Sequence, residues 1–357
     1  MKFSDKNVFA FFQPIISIDS PNDVYGYEIL GRYVDDNGAF HSLGPYFANK
    51  GNPLPEMMVV DYLMRMDAFK RYAASKSGAY LFLNMRLDWI SMYSVNSNIM
   101  PPVPLAHELG LDPSKLVIEI TEEEYVNPDR YYKERLNFYR GKGSRLAIDD
   151  FGKSASNIER ISDVRPDILK FDMSYIHKSE NNSYYREYMN AITAYAERLG
   201  IEVVYEGIET VGQLDVCVSA KGRFYQGFLL GQPTEILSAP RATGGEGHLE
   251  ESARRIYKRN YRAANRIVQT RDEWDAIFLQ IMRNFNNMAG AVDINAHFRN
   301  ILESLPSQAL RIYVCDETGR QRSVTIERDS YERGSDPRNV QYRNLAWRRI
   351  FQEAVSS

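Results

Sequence analysis

The 357-residue chain is predicted to fold as a TIM-like (β/α)8 barrel followed by a helix and a small α+β C-terminal region. Three observations predict this. Up to about Pro233, short apolar runs suited to buried strands alternate with longer stretches of helical period, repeating at intervals of roughly 30 residues. Nearly every apolar run terminates in Glu, Asn, Asp, Lys or Gln. A barrel gathers its strand C-termini around one mouth, whereas a doubly wound sheet, the alternative, spreads them along an edge. After Pro233 the composition changes to ILSAPRATGGEGHL, rich in small residues and Gly, as expected of a linker.

In chain order the strand runs include VYGYEIL, AYLFLN, LVIEIT, RLAIDD, ILKFD, EVVYEG and RFYQGFLLG. Between them lie amphipathic segments such as MMVVDYLMRMDAFKRYAAS and SYYREYMNAITAYAERLGIE, the second stopping at Gly200 as a helix C-cap would. Beyond the linker, ESARRIYKRNYRAANRIV carries Arg254, Arg255, Lys258, Arg259, Arg262 and Arg266 and reads as a solvated connecting helix, with nucleic-acid or membrane contact the alternative. LRIYVCDETGRQRSVTIER reads as a β-hairpin turning at Asp316 to Gly319. The expected division is a barrel over 1–240, a helical linker over 241–290 and a C-terminal region over 291–357, which leaves little chain for a complete second core.

Composition narrows the function classes. A net charge of -3 argues against a nucleic-acid binder by bulk electrostatics. Two cysteines, Cys217 and Cys315, rule out a disulfide framework and fit a reducing compartment. The N-terminal MKFSDKNVFAFFQPI has no signal-peptide pattern, and no stretch approaches the roughly 18 apolar residues of a membrane span. A soluble, cytoplasmic protein is the expectation.

The polar strand-end residues are Glu28, Asn84, Glu119, Asp149, Asp150, Lys170, Glu206 and Gln226. Brought to one mouth, five carboxylates would repel one another and raise each other's pKa unless a cation intervened. A set without His or Cys suits a hard divalent ion, Mg²⁺ or Mn²⁺. The adjacent Asp149 and Asp150 suit two ions, one acid bridging them, and a two-metal pair serves in-line displacement at phosphorus. Lys170 could then orient or deprotonate the attacking water, or neutralise phosphate charge. Asp172 reads equally as a helix cap or a ligand contact, and Glu123 and Glu124 as the acidic first turn of a helix.

The series FFQPI, YGYEILGR, YLFLN, LVIEITE, LAIDDFGKSASN, PDILKFD, VVYEGIE and YQGFLLGQP, in unbroken order from about Val8 to Pro233, closely resembles the EAL-domain cyclic di-GMP phosphodiesterases. The resemblance implies a TIM-like barrel, often a homodimer, that hydrolyses one phosphodiester bond of cyclic di-GMP to give linear pGpG. It implies that Glu28, Asn84, Glu119 and Asp149 bind a first metal and Asp149, Asp150 and Glu206 a second. Glu28 and Glu206 are thereby catalytic, together with Lys170, which holds or activates the water. It further implies that Gln13, Leu30, Arg32, Asp172 and Gln226 contact substrate or support its pocket, that Glu122 steadies the loop after the paired aspartates, and that Ca²⁺ inhibits.

Two positions depart from the family pattern. Ile29 stands where the name motif has Ala. Lys153-Ser154-Ala155-Ser156-Asn157 replaces a loop that usually carries a second Gly, so Ser154 removes a residue free to take positive φ. A weak or silent cyclic di-GMP receptor is therefore the alternative to an active enzyme. The C-terminal helix and hairpin resemble the PAS-like domain appended to some EAL barrels.

Overall fold

The computed structural model describes residues 3–262 apart from 5–6, 87–88, 90–98, 122–129, 153–157 and 238–246, and a few positions beyond, among them 301–302, 311–312 and 326–327. Two compact units are present, Met1–Arg259 and Asn260–Ser357.

The first unit is the barrel. Its strands are β1 (Val8–Ser17), β2 (Ser20–Val34), β3 (Phe40–Ser42), β4 (Tyr80–Asn84), β5 (Leu116–Thr121), β6 (Arg145–Phe151), β7 (Ile168–Phe171), β8 (Glu202–Tyr205) and β9 (Phe224–Tyr225). They pair in the order β1-β9-β8-β7-β6-β5-β4-β2, and a β1–β2 pairing closes the ring of eight, with β3 attached outside to β2. Around them lie α1 (Gly44–Ala48), α2 (Leu54–Ser75), α3 (Pro102–Glu108), α4 (Arg130–Gly141), α5 (Ile158–Val164), α6 (Met173–Ser179), α7 (Ser183–Arg198) and α8 (Val211–Ser219). The helix read to stop at Gly200 is α7, and Gly200 takes φ +71° just past its end.

One strand departs from the regular (β/α)8 plan. β1 is antiparallel to both neighbours, β2 and β9, whereas β2-β4-β5-β6-β7-β8-β9 are parallel. The cause is the connection: only Ile18 and Asp19 separate β1 from β2, and a parallel crossover needs about a dozen residues or more.

Period-two alternation then sorts the interior into two layers. Ile15, Phe82, Val117, Ala147, Ile168, Val204 and Phe224 form one buried apolar cluster that plugs the barrel. On β2 the corresponding place is Gly26, where the Phe82 ring fills the space of a side chain. Two residues further up each strand stand Asn84, Glu119, Asp149, Lys170, Glu206, Gln226 and Glu28; on the reversed β1, two residues back, stands Gln13. The residues a single step past the plug, such as Leu83, Ile118, Ile148 and Leu169, face outward into the larger core under the helices.

The plug is sealed at the N-terminal mouth. Tyr25 stacks on Phe224 with ring centroids 3.9 Å apart. Its hydroxyl donates to Glu202 Oε2 at 2.7 Å and accepts from Arg145 Nη1 at 2.5 Å, while Arg145 Nη2 pairs with Glu202 at 2.5 Å.

The basic segment expected to be a solvated connection is helical over 247–262 and packs on the barrel by one face. Leu249, Ser252 and Ile256 are buried, Arg255 pairs with Asp215 of α8 at 2.8 Å, and Arg259 donates to Ser219 at 2.7 Å. In the second unit, β10 (Arg311–Ile312) and β11 (Ile326–Glu327) pair antiparallel, Arg311 opposite Glu327, as the hairpin reading requires. The turn at Asp316 to Gly319 and Cys315 lie outside the described residues. Among those described, no helix is long and apolar enough to cross a membrane.

Candidate active site

Lys170 is the centre of the polar layer. Its side chain is wholly buried, and its Nζ lies 3.5 Å from Glu28, 3.3 Å from Asp149 and 2.5 Å from Glu206, with Glu119 in direct contact. Burial alone would pull this ammonium toward its neutral form, but the four carboxylates outweigh it and hold the pKa well above the ordinary lysine value. Burial pushes the Glu119 and Glu206 carboxyls well above their usual range; Lys170 opposes this, and repulsion from the neighbouring carboxylates adds to it. One ammonium against four carboxylates leaves the cluster three negative charges in excess when all are ionised.

Glu28 is oriented by amides. Asn84 Nδ2 donates to its Oε1 at 3.1 Å and Gln226 Nε2 to its Oε2 at 2.6 Å. Gln226 also reaches Gln13 at 3.2 Å, and Gln13 is anchored on the Gly231 carbonyl. β2 extends past the barrel rim to pair with β3, so Glu28 lies within that strand yet at the level of the other strand ends.

The paired aspartates occupy a bulge. Between Ile148 and Phe151 strand β6 gains one residue on β7, and Asp150 takes φ +54°. On a regular strand the two side chains would face opposite ways; the bulge re-aims the second. Asp149 is buried against Lys170, and Asp150 lies at the rim, on the wall of two cavities of about 560 and about 270 Å³. A bent, left-handed Asp costs on the order of 1–2 kcal/mol, a strain typical of functional positions.

The oxygens of Glu28, Glu119 and Glu206 lie within 4.8 Å of one another. Buried atoms Oε1 and Oε2 of Glu119, Oδ1 of Asp149 and Oε1 of Glu206 have no hydrogen bond beyond the contact with Lys170. Excess negative charge, orphaned oxygens and an all-oxygen donor set fit a hard divalent cation.

The remaining expected residues divide between the two cavities. Leu30 lines both; Arg32 lines the larger, its guanidinium 5.4 Å over the Phe11 ring; Asp172 lines the smaller and also caps α6 by accepting from Ser174 N at 2.9 Å. Of its two readings, the helix cap is present. Glu122, Glu123, Glu124 and the Lys153–Asn157 loop lie outside the described residues.

The larger cavity adds residues that sequence reasoning did not single out: Asp61, Arg86 and Trp89. Asp61 is paired with the fully buried Arg65 at 2.6 Å, and burial raises the Asp61 pKa against the opposing pull of Arg65. The signal was available, because Asp61 and Arg65 interrupt, at i and i+4, the buried face of α2 formed by Met57, Met58, Val60, Met64 and Ala68.

Comparison with known proteins gives a consistent result. Residues 1–233 match the EAL domain family. The uncharacterized EAL-domain containing protein YkuI of Bacillus subtilis is 26% identical, covering 98% of this chain and 84% of its own. Its crystal structure, a complex with substrate c-di-GMP and calcium, is similar with a TM-score of 0.84 and 25% identity over 99% of this chain and 87% of that one. The probable cyclic di-GMP phosphodiesterase PdeG of Escherichia coli is 26% identical over 66% of this chain and 47% of its own length. With its matched region spanning the whole ring of strands and every strand-end acid, the chain belongs to the EAL domain family.

Proposed function

We propose that the protein is a metal-dependent phosphodiesterase that cleaves one phosphodiester bond of cyclic di-GMP to give linear pGpG. The observation that carries this reading is the polar layer itself: four carboxylates converge on one buried ammonium, one of them held by two amides, with two cavities that share Leu30 and Asp150 in their walls. Glu28, Asn84, Glu119 and Asp149 would hold one ion, and Asp149, Asp150 and Glu206 a second. When bound, the ions supply Lewis-acid activation of water and neutralise charge at the phosphorus centre.

The chain's own residues do the rest. Asn84 and Gln226 turn Glu28 inward. Lys170, held charged by its neighbours, donates to the attacking water and fixes its approach. Arg32, at the wall of the larger cavity, suits a phosphate oxygen of the substrate. The apolar plug beneath closes the barrel on the far side, so substrate enters from the C-terminal mouth.

Ca²⁺, which accepts more ligands in looser geometry, is proposed to occupy the site without supporting turnover. We further assign the barrel to a homodimer in the cytoplasm and the C-terminal hairpin to a PAS-like region. The deciding assay incubates purified protein with cyclic di-GMP and Mg²⁺ or Mn²⁺ and follows pGpG by chromatography. Product is expected; tight binding by calorimetry with no product would replace the enzyme with a receptor.

A further inference from the structure

Helix α6 touches both turns that carry the outermost acids. Gly152, two residues past Asp150, has φ +102°, and a Cβ there would stand 2.7 Å from the Tyr175 ring. Gly207, adjacent to Glu206, has φ +64°, and a Cβ there would overlap the Met173 side chain. Met173 and Tyr175 are the first and third residues of the same helix. Only Phe171 and Asp172 separate the helix from Lys170, so it is fixed to the strand that carries the central ammonium.

α6 is held in place independently of those turns. The Tyr175 ring packs against Tyr185 and Tyr188 of α7, with centroids 5.3 and 5.2 Å away. At the other end, Glu180 accepts from Thr210 Oγ1 at 3.3 Å, at the start of α8. Asp150 and Glu206 therefore stand on turns whose backbone comes into contact with one rigid surface, in places only glycine fits.

We propose that Tyr175 and Met173 are positioning residues that set the separation of Asp150 from Glu206, and with it the affinity for the second ion. This rests on the metal-dependent reading of the site above. Tyr175 lines neither cavity, and Met173, although on the wall of the smaller one, acts on the metal ligands through the Gly207 turn it supports.

The test is a Mn²⁺ titration of the full chain by calorimetry, beside steady-state kinetics. The wild type is expected to bind two ions. Tyr175→Ala should weaken the second by about ten- to a hundredfold, the range for losing an outer-shell support, and leave the first unchanged. kcat should fall with it while KM for cyclic di-GMP holds, and Tyr175→Phe, which keeps the ring, should restore both. Tyr185→Ala removes one of the two rings behind Tyr175 without touching Gly152 and should weaken the second ion far less than Tyr175→Ala does. Met173→Ala, acting on the Glu206 turn, gives the same readout should Tyr175→Ala not fold. The proposal is overturned if Tyr175→Ala or Met173→Ala titrates like the wild type, if Tyr185→Ala weakens the second ion equally, or if the wild type binds fewer than two. A protein that binds two Mn²⁺ but makes no pGpG refutes hydrolysis alone, and the variant titrations still decide the positioning role.

Discussion

At the N-terminal mouth of the barrel, Arg145, Glu202 and the Tyr25 hydroxyl satisfy one another over an apolar plug. At the C-terminal mouth, two residues past the plug on each strand, four carboxylates share one ammonium and several of their oxygens have no other partner. The same strands thus carry a balanced polar cluster at one end and an unbalanced one at the other. The difference separates the tasks: the lower layer holds the barrel closed, and the upper layer spends some of that stability on keeping ion ligands together.

The sharpest way to break the contrast is to remove an upper acid. Glu28→Ala should lower turnover by more than about a hundredfold, beyond the upper range for losing an outer-shell support, with the melting temperature of the metal-free protein unchanged or raised; persistent pGpG production would void the ligand assignment. Next in size, Lys170→Met should destabilise the metal-free protein by about 3–5 kcal/mol, the loss expected when a buried charge group is left uncompensated. Mn²⁺ should recover most of it, a result readable by denaturant unfolding with and without chelator.

A smaller effect is expected below. Glu202→Gln leaves Arg145 and Tyr25 with a weaker partner at a site about a quarter exposed, so a stability loss of about 1 kcal/mol with unchanged kcat is expected. A comparable loss of kcat would mean the two mouths are not independent.

The least pronounced contrast is in pH. Glu119 and Glu206 have raised pKa values in the folded chain, so the folded state binds more protons than the unfolded one between the usual carboxylate range and the raised values. Stability of the chelated protein should therefore fall as pH rises through that window. Saturating Mn²⁺ should flatten the slope, because the ion replaces the proton. A chelated protein whose stability rises with pH there would contradict the charge imbalance.

The strand-end acids were legible because a buried strand ending in a charge violates the apolar pattern at a definite place. Glu119 in LVIEIT and Lys170 in ILKFD each interrupt a buried run. The reversal of β1 was legible in principle: FFQPIIS and VYGYEIL are separated by IDSPND, turn residues with no room for a helix. Strand-then-helix repetition masked it. Asp61 and Arg65 were legible in the same way, as charges at i and i+4 interrupting the buried face of α2, but a reading of that segment for helical period alone passes over them. The bulge at Asp150 depends on the register between β6 and β7, a tertiary property that DDFG alone does not determine. The inward face of the 247–262 helix was likewise obscured by its many arginines.

The two-residue step between plug and ligands also bears on how such a chain can change. Substitutions can accumulate on either side of the sheet provided each strand keeps its parity, even steps inward and odd steps outward. A single inserted or deleted residue between plug and ligand would exchange an acid for an aliphatic and bury the charge under the helices. Length within the strands is then the quantity under strictest control.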